Sequence, residues 1–154
     1  MMQNETVVKE LRSQSTWRLL GLALLTLGVY YGHYMTRQTR IINKHLPEDR
    51  KIPPNFVLTI LVLGYLTLGL FVGYLFVPED HPVAVVSDTL DWVWLLMMLF
   101  WGFYARSRMN LLTGAERGGP LWFSGLWTLL LNPFYFNYKI NRLNETGAVQ
   151  GISA

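Results

Sequence analysis

Asp88 and Asp91 are the acidic pair best placed to do chemistry in this chain. They are three residues apart near the start of an apolar stretch, so a helix carries both on one face. Carboxylates inside an apolar helix mark ion or proton handling. Asp91 stands about 22 Å along such a helix from Arg106, close to one end of the apolar layer. There the pair also fits a plainer role, beside a helix N-terminus whose dipole favours negative charge, with Pro82 in the first turn. Asn132 precedes Pro133 in the middle of the last apolar run and offers an amide to backbone groups that a proline would free. His33 lies among tyrosines, His45 among basic residues, and His81 beside Glu79 and Asp80.

No H-E-x-x-H, G-x-S-x-G, P-loop or dinucleotide fingerprint is present, so no catalytic, metal or cofactor site is expected. With no cysteine, the chain has no disulfide, thiolate catalysis or Cys-ligated metal. The expectation is a non-enzymatic protein without a cofactor.

The elements carrying these residues are apolar. Phe56 to Val77 runs for 22 residues without a charge. At about 1.5 Å per residue, that length crosses a hydrocarbon core of roughly 30 Å. Three further apolar segments cover 19–35, 83–105 and 121–138. The expected fold is an all-α integral membrane protein in one domain, residues 1–154. A spanning hairpin forms its centre, and the first and fourth segments are re-entrant or interfacial. Segment one is short for a span and holds Gly21, Gly28 and Gly32. Segment four carries Asn132-Pro133, which marks either the bend of a re-entrant segment or the kink of an ordinary span.

Charge orients this arrangement. Basic residues precede segment one, fill the loop 37–54 and follow segments three and four, whereas the turn between segments two and three carries Glu79 and Asp80. Four simple spans would put both basic termini outside. A hairpin with two re-entrant flanks keeps every Lys and Arg, and both termini, cytoplasmic. Within 37–54, a helix continuing past Met35 would turn Ile41, Ile42 and Leu46 to the membrane and lay Arg37, Arg40 and Lys44 on anionic lipid; a solvated loop is the alternative. Topology and lipid contact account for the charge, so nucleic acid is not an expected partner.

Gly28-x-x-x-Gly32 and Gly69-x-x-x-Gly73 clear one helix face for a close neighbour, within the chain, in a homo-oligomer or in a membrane-protein partner. Trp92, Trp94 and Trp101, with the tyrosines closing segments one and four, fit an interfacial belt, or a groove for a lipid or quinone. A faint repeat relates segments one and four at an offset of 104, where Gly21 meets Gly125, Leu27 meets Leu131, Tyr31 meets Tyr135 and Tyr34 meets Tyr138.

Thr26-Leu27-Gly28-Val29-Tyr30 fits T-x-G-[IV]-Y. Phe134 to Leu143 fits aromatic-Tyr-x-x-Tyr-x-Ile-Asn-x-Leu. Together they resemble a family of small bacterial multi-pass membrane proteins classed as a domain of unknown function. The likeness covers the two ends better than the middle hairpin. It implies a bacterial cytoplasmic (inner) membrane and brings no activity or catalytic residue. Two functions are expected: an accessory or interaction subunit of a membrane complex, or a small transporter or lipid-handling protein with a polar path near Asp88, Asp91 and Asn132.

Overall fold

The computed structural model describes residues 2–12, 14–78 and 81–146; the acidic turn residues Glu79 and Asp80 lie outside them. The described chain is all helical: α1 (Met2–Leu11), α2 (Thr16–Leu25), α3 (Val29–Lys44), a 3-10 turn (Glu48–Arg50), α4 (Pro54–Tyr74), α5 (Pro82–Thr113) and α6 (Gly125–Glu145). Two helices are long and apolar enough to cross a membrane, α4 with its preceding turn and α5.

Proline sets the start of both. Pro54 and Pro82 sit in the first turns of α4 and α5, where a missing N–H costs nothing. His81 caps α5, its Nδ1 accepting from the Val83 amide at 3.2 Å. α5 runs 32 residues and stops at Gly114, whose φ of 59° lets the chain turn away. The helices pair antiparallel: Phe56 meets Tyr104 edge to face at 5.6 Å, and the Trp94 indole N–H donates to the Ile60 carbonyl at 2.9 Å.

Segment one is not one helix. α2 ends at Leu25, and the chain folds back as α3. The Tyr30 hydroxyl donates to Gln14 Oε1 at 2.8 Å, the Gln38 amide to the Leu11 carbonyl at 3.3 Å, and His45 meets Glu10 at 3.5 Å. A straight continuation would put Gln14 and Tyr30 roughly 24 Å apart. α3 therefore returns alongside α1.

α6 also folds back. Its residues 125–131 and 133–145 are two limbs meeting at Asn132, where φ is 29° and ψ −109°. The Tyr135 hydroxyl accepts from the Ser124 amide at 2.9 Å, and Lys139 Nζ donates to the Pro120 carbonyl at 2.7 Å. In a straight helix, Ser124 and Tyr135 would be about 16 Å apart.

The two hairpins and α5 converge on one core. Trp101 is fully buried; its ring packs against Tyr34 of α3 at 6.3 Å and Phe136 of α6 at 5.4 Å, and its N–H donates to Thr39 Oγ1 at 2.8 Å. Three asparagines on one face of the second α6 limb tie down the N-terminal segment. Asn144 donates to the Val8 carbonyl at 2.8 Å, Asn141 to the Gln14 carbonyl at 3.0 Å, and Asn137 to the Gln14 carbonyl at 3.2 Å.

Several sequence expectations change here. Residues 37–44, where the sequence allows a basic loop or a continued helix, belong to α3. Its Gln38, Thr39 and Ile42 are buried, as is Leu46 beyond it, so Ile42 and Leu46 fill the core rather than face a membrane. α5 passes the expected end at Ala105 because Ala105 and Met109 continue the buried stripe. Trp101 is a core residue, not part of a belt.

Trp101→Ala should cost about 3–5 kcal/mol, the usual range for a buried large aromatic. A denaturant titration followed by circular dichroism measures it. Trp101→Phe should cost less, since it keeps the ring contacts and loses the bond to Thr39.

Candidate functional site

The features worth asking function of are the two hairpin tips and the part of α5 they meet. The first tip is Thr26-Leu27-Gly28. The Gly28 amide bonds the Ala23 carbonyl at 2.7 Å, and the Leu27 amide bonds the Leu24 carbonyl at 3.2 Å. That pair closes the end of α2 in the Schellman pattern. Leu27 takes the left-handed position at φ 48°, which is rare for a leucine. Thr26 serves both helices: its hydroxyl donates to the Leu22 carbonyl at 2.8 Å and accepts from the Tyr30 amide at 3.0 Å. Gly28, at φ 91°, lies under the Trp94 ring, 2.7 Å from where a Cβ would stand. The T-x-G-[IV]-Y stretch is thus a chain reversal, with Thr26 capping, Gly28 admitting the indole and Tyr30 bonding back to Gln14.

The second tip is Asn132-Pro133. Proline disfavours helix at the residue before it, and asparagine accepts positive φ better than most side chains. Pro133 then opens the second limb at the position where its missing N–H is harmless. The Asn132 side chain points at α5: a Cβ on Gly102 would stand 2.0 Å from Asn132 Oδ1. That oxygen is buried and accepts no hydrogen bond.

The tips correspond at the offset of 104, which maps Gly28 onto Asn132. After each turn an aromatic hydroxyl reaches back to the foot of its hairpin, Tyr30 to Gln14 and Tyr135 to Ser124. Tyr31 and Phe134, just past the two turns, meet edge to face at 5.5 Å. Tyr31, Tyr34 and Tyr135 enter core contacts, whereas Tyr138 is exposed.

The remaining candidates are dispersed. Asp91 is exposed and lines a cavity of about 130 Å³ with Leu27, Thr67, Leu68, Phe71 and Trp94. The Thr67 hydroxyl donates to the Gly64 carbonyl at 3.2 Å. Asp88 is exposed one turn away. Asn132 meets α5 at Gly102, and Trp94, Met98 and Trp101 lie between that level and Asp91. His33 pairs with the Tyr65 hydroxyl at 2.7 Å and joins neither aspartate. Gly32 would put a Cβ 3.0 Å from the Leu61 Cα, so it holds α3 against α4. A Cβ on Gly69 or Gly73 would meet nothing within 4 Å from the other described elements.

Sequence reasoning passed over Gly102, which admits Asn132, and Gly64, which admits Trp94. Neither belongs to a G-x-x-x-G pair, so spacing gives no signal for them. The i, i+4, i+7 spacing of Asn137, Asn141 and Asn144 would have revealed the polar face of α6. Among the described residues no group of three His, Asp or Glu could hold a metal.

No family model, curated protein or solved structure matches this chain.

Gly102→Ala should lower stability by about 1–3 kcal/mol, the range for overpacking a tight contact. Asn132→Gly removes the opposing side chain while keeping a residue free to adopt the turn. The double variant should recover most of the loss in denaturant titration. Additive losses would mean the two residues do not oppose each other.

Proposed function

We propose that the chain is an integral protein of a bacterial cytoplasmic membrane and a non-enzymatic accessory subunit that packs against partner helices. In this reading α4 and α5 cross the bilayer. The α2–α3 hairpin and the two limbs of α6 enter from the cytoplasmic face and return to it. Both termini and the basic residues then lie on that side, in keeping with the positive-inside bias. The resemblance in Thr26–Tyr30 and Phe134–Leu143 points the same way.

One observation carries the reading: the α4–α5 hairpin leaves its apolar surface uncovered. Leu58, Val62, Leu66 and Phe71 on α4 are exposed, as are Val85, Trp92, Leu95 and Leu96 on α5. Water does not tolerate so continuous an apolar face on a monomer, and a bilayer does. Gly69 and Gly73 add the partner. A Cβ at either would meet no other described element within 4 Å, and glycine costs helix propensity wherever no neighbour uses the space it clears.

The alternative, a transporter or lipid-handling protein with a path through Asp88, Asp91 and Asn132, draws less support. Asp91 and Asn132 meet α5 at separate levels, with two tryptophans and a methionine between.

Native mass spectrometry of the protein extracted from its own membrane in mild detergent should show a stoichiometric protein partner. A monomer carrying only lipid would contradict the proposal. Gly69→Leu with Gly73→Leu should release the partner and leave the chain's own stability nearly unchanged, because a Cβ at either position would meet nothing within 4 Å beyond its own helix backbone and chain neighbours.

A further inference from the structure

Between the second half of α3 and the start of α4 lies a cavity of about 690 Å³, into which Arg40, Lys44 and Lys51 converge. Arg40 and Lys44 stand one turn apart on α3, where like charges repel. Lys51 faces them from the loop before α4. Glu48, paired with Lys51, is the one carboxylate in the lining. Lys44 also lies 3.9 Å from Glu10, a loose and exposed contact that neutralises little. The cavity keeps an excess of positive charge.

Its frame is fixed. The Asn43 amide bonds both backbone groups of Ile52: Nδ2 donates to the carbonyl at 2.8 Å, and Oδ1 accepts from the N–H at 2.9 Å. Ile52 is fully buried, so this clamp anchors the loop to α3 and sets Lys51 opposite Arg40. Pro53 and Pro54 stiffen the exit into α4. Both prolines and Val57 give the cavity an apolar wall, beside the hydroxyls of Thr36 and Thr39. Cations together with an apolar wall suit an amphiphile with a negative head. The uncharged run of α4 begins at Phe56, one turn from the prolines, so the cavity lies where apolar helix gives way to basic residues.

We infer that this cavity binds the headgroup phosphate of one anionic phospholipid, with Arg40, Lys44 and Lys51 on the phosphate and the Val57 wall toward the acyl chains. The inference rests on the membrane reading proposed above. Free phosphate offers the same charge but has no use for the apolar wall.

The test titrates delipidated full-length protein in detergent with phosphatidylglycerol, phosphatidylcholine or inorganic phosphate and reads adducts by native mass spectrometry. One phosphatidylglycerol should bind per chain at concentrations where phosphatidylcholine does not. Replacing all three cations (Arg40→Gln, Lys44→Gln, Lys51→Gln) should weaken it by at least about 10-fold, given the usual worth of each basic contact. Arg12→Gln with Arg142→Gln, on the α1–α6 side, should leave it unchanged; an equal loss there would reduce the binding to diffuse charge and overturn the site. Displacement of the lipid by millimolar inorganic phosphate would overturn the lipid assignment. Should the triple variant fail to fold, Lys44→Gln alone, at an exposed side chain, should still weaken binding by about 3-fold or more, and an unchanged affinity overturns the site. Alkaline carbonate extraction separates the two failures. A chain released by carbonate sinks the membrane reading, whereas a carbonate-resistant chain without lipid preference sinks only this site.

Discussion

Trp101 is the contact on which the rest of the structure depends. It is fully buried and joins the three parts of the chain that are far apart in sequence: α3 through Tyr34 and Thr39, α6 through Phe136, and its own helix α5. Each hairpin alone is two short limbs with little to hold them together. α2 has 10 residues, below the length at which an isolated helix is stable in water. Packing against α5 supplies what the local sequence lacks, and the indole N–H finds its partner inside that contact, as a buried polar group must.

A second constraint acts at the tips. A chain that reverses direction leaves the last carbonyls of one limb and the first amides of the next without partners. The first tip closes them with the Ala23 and Leu24 bonds and the Thr26 hydroxyl. The second relies on proline, which removes an amide outright, and on an asparagine that accepts an unusual backbone. Such closure within the chain is what a bilayer would demand. The two tips fall on matching positions of the repeat, Gly28 and Asn132, yet solve the turn with different residues.

Much of the architecture was readable in the sequence. The uncharged run 56–77 and the 83–105 segment gave the two long helices, and Asn132-Pro133 gave the break in α6. The split after Leu25 was only hinted at by glycines, because its decisive residue, Leu27, has a side chain that normally avoids the conformation it takes. The helix over 37–44 was one of two readings, since Arg37, Arg40 and Lys44 suit a solvated loop equally well until Gln38, Thr39 and Ile42 are seen to share a buried face. The candidate site was less legible. Asp88, Asp91, Asn132 and His33 were picked by residue type, and the fold scatters them. Gly64 and Gly102 owe their role to what faces them on other elements, which no local pattern records. The basic cavity depends on the Asn43–Ile52 clamp, a contact across nine residues of loop.

The central claim is that both hairpins leave and return on one side of a membrane, opposite the α4–α5 turn. The absence of native cysteine makes single-cysteine labelling clean. Intact cells expressing Glu10→Cys, Asp49→Cys, Arg117→Cys, Glu145→Cys or His81→Cys would be treated with a membrane-impermeant maleimide before and after permeabilisation. The account predicts that only the His81→Cys variant is labelled in intact cells and that the other four react after permeabilisation. Labelling at residue 10 or 145 in intact cells would show that a hairpin crosses the membrane, and would contradict the account.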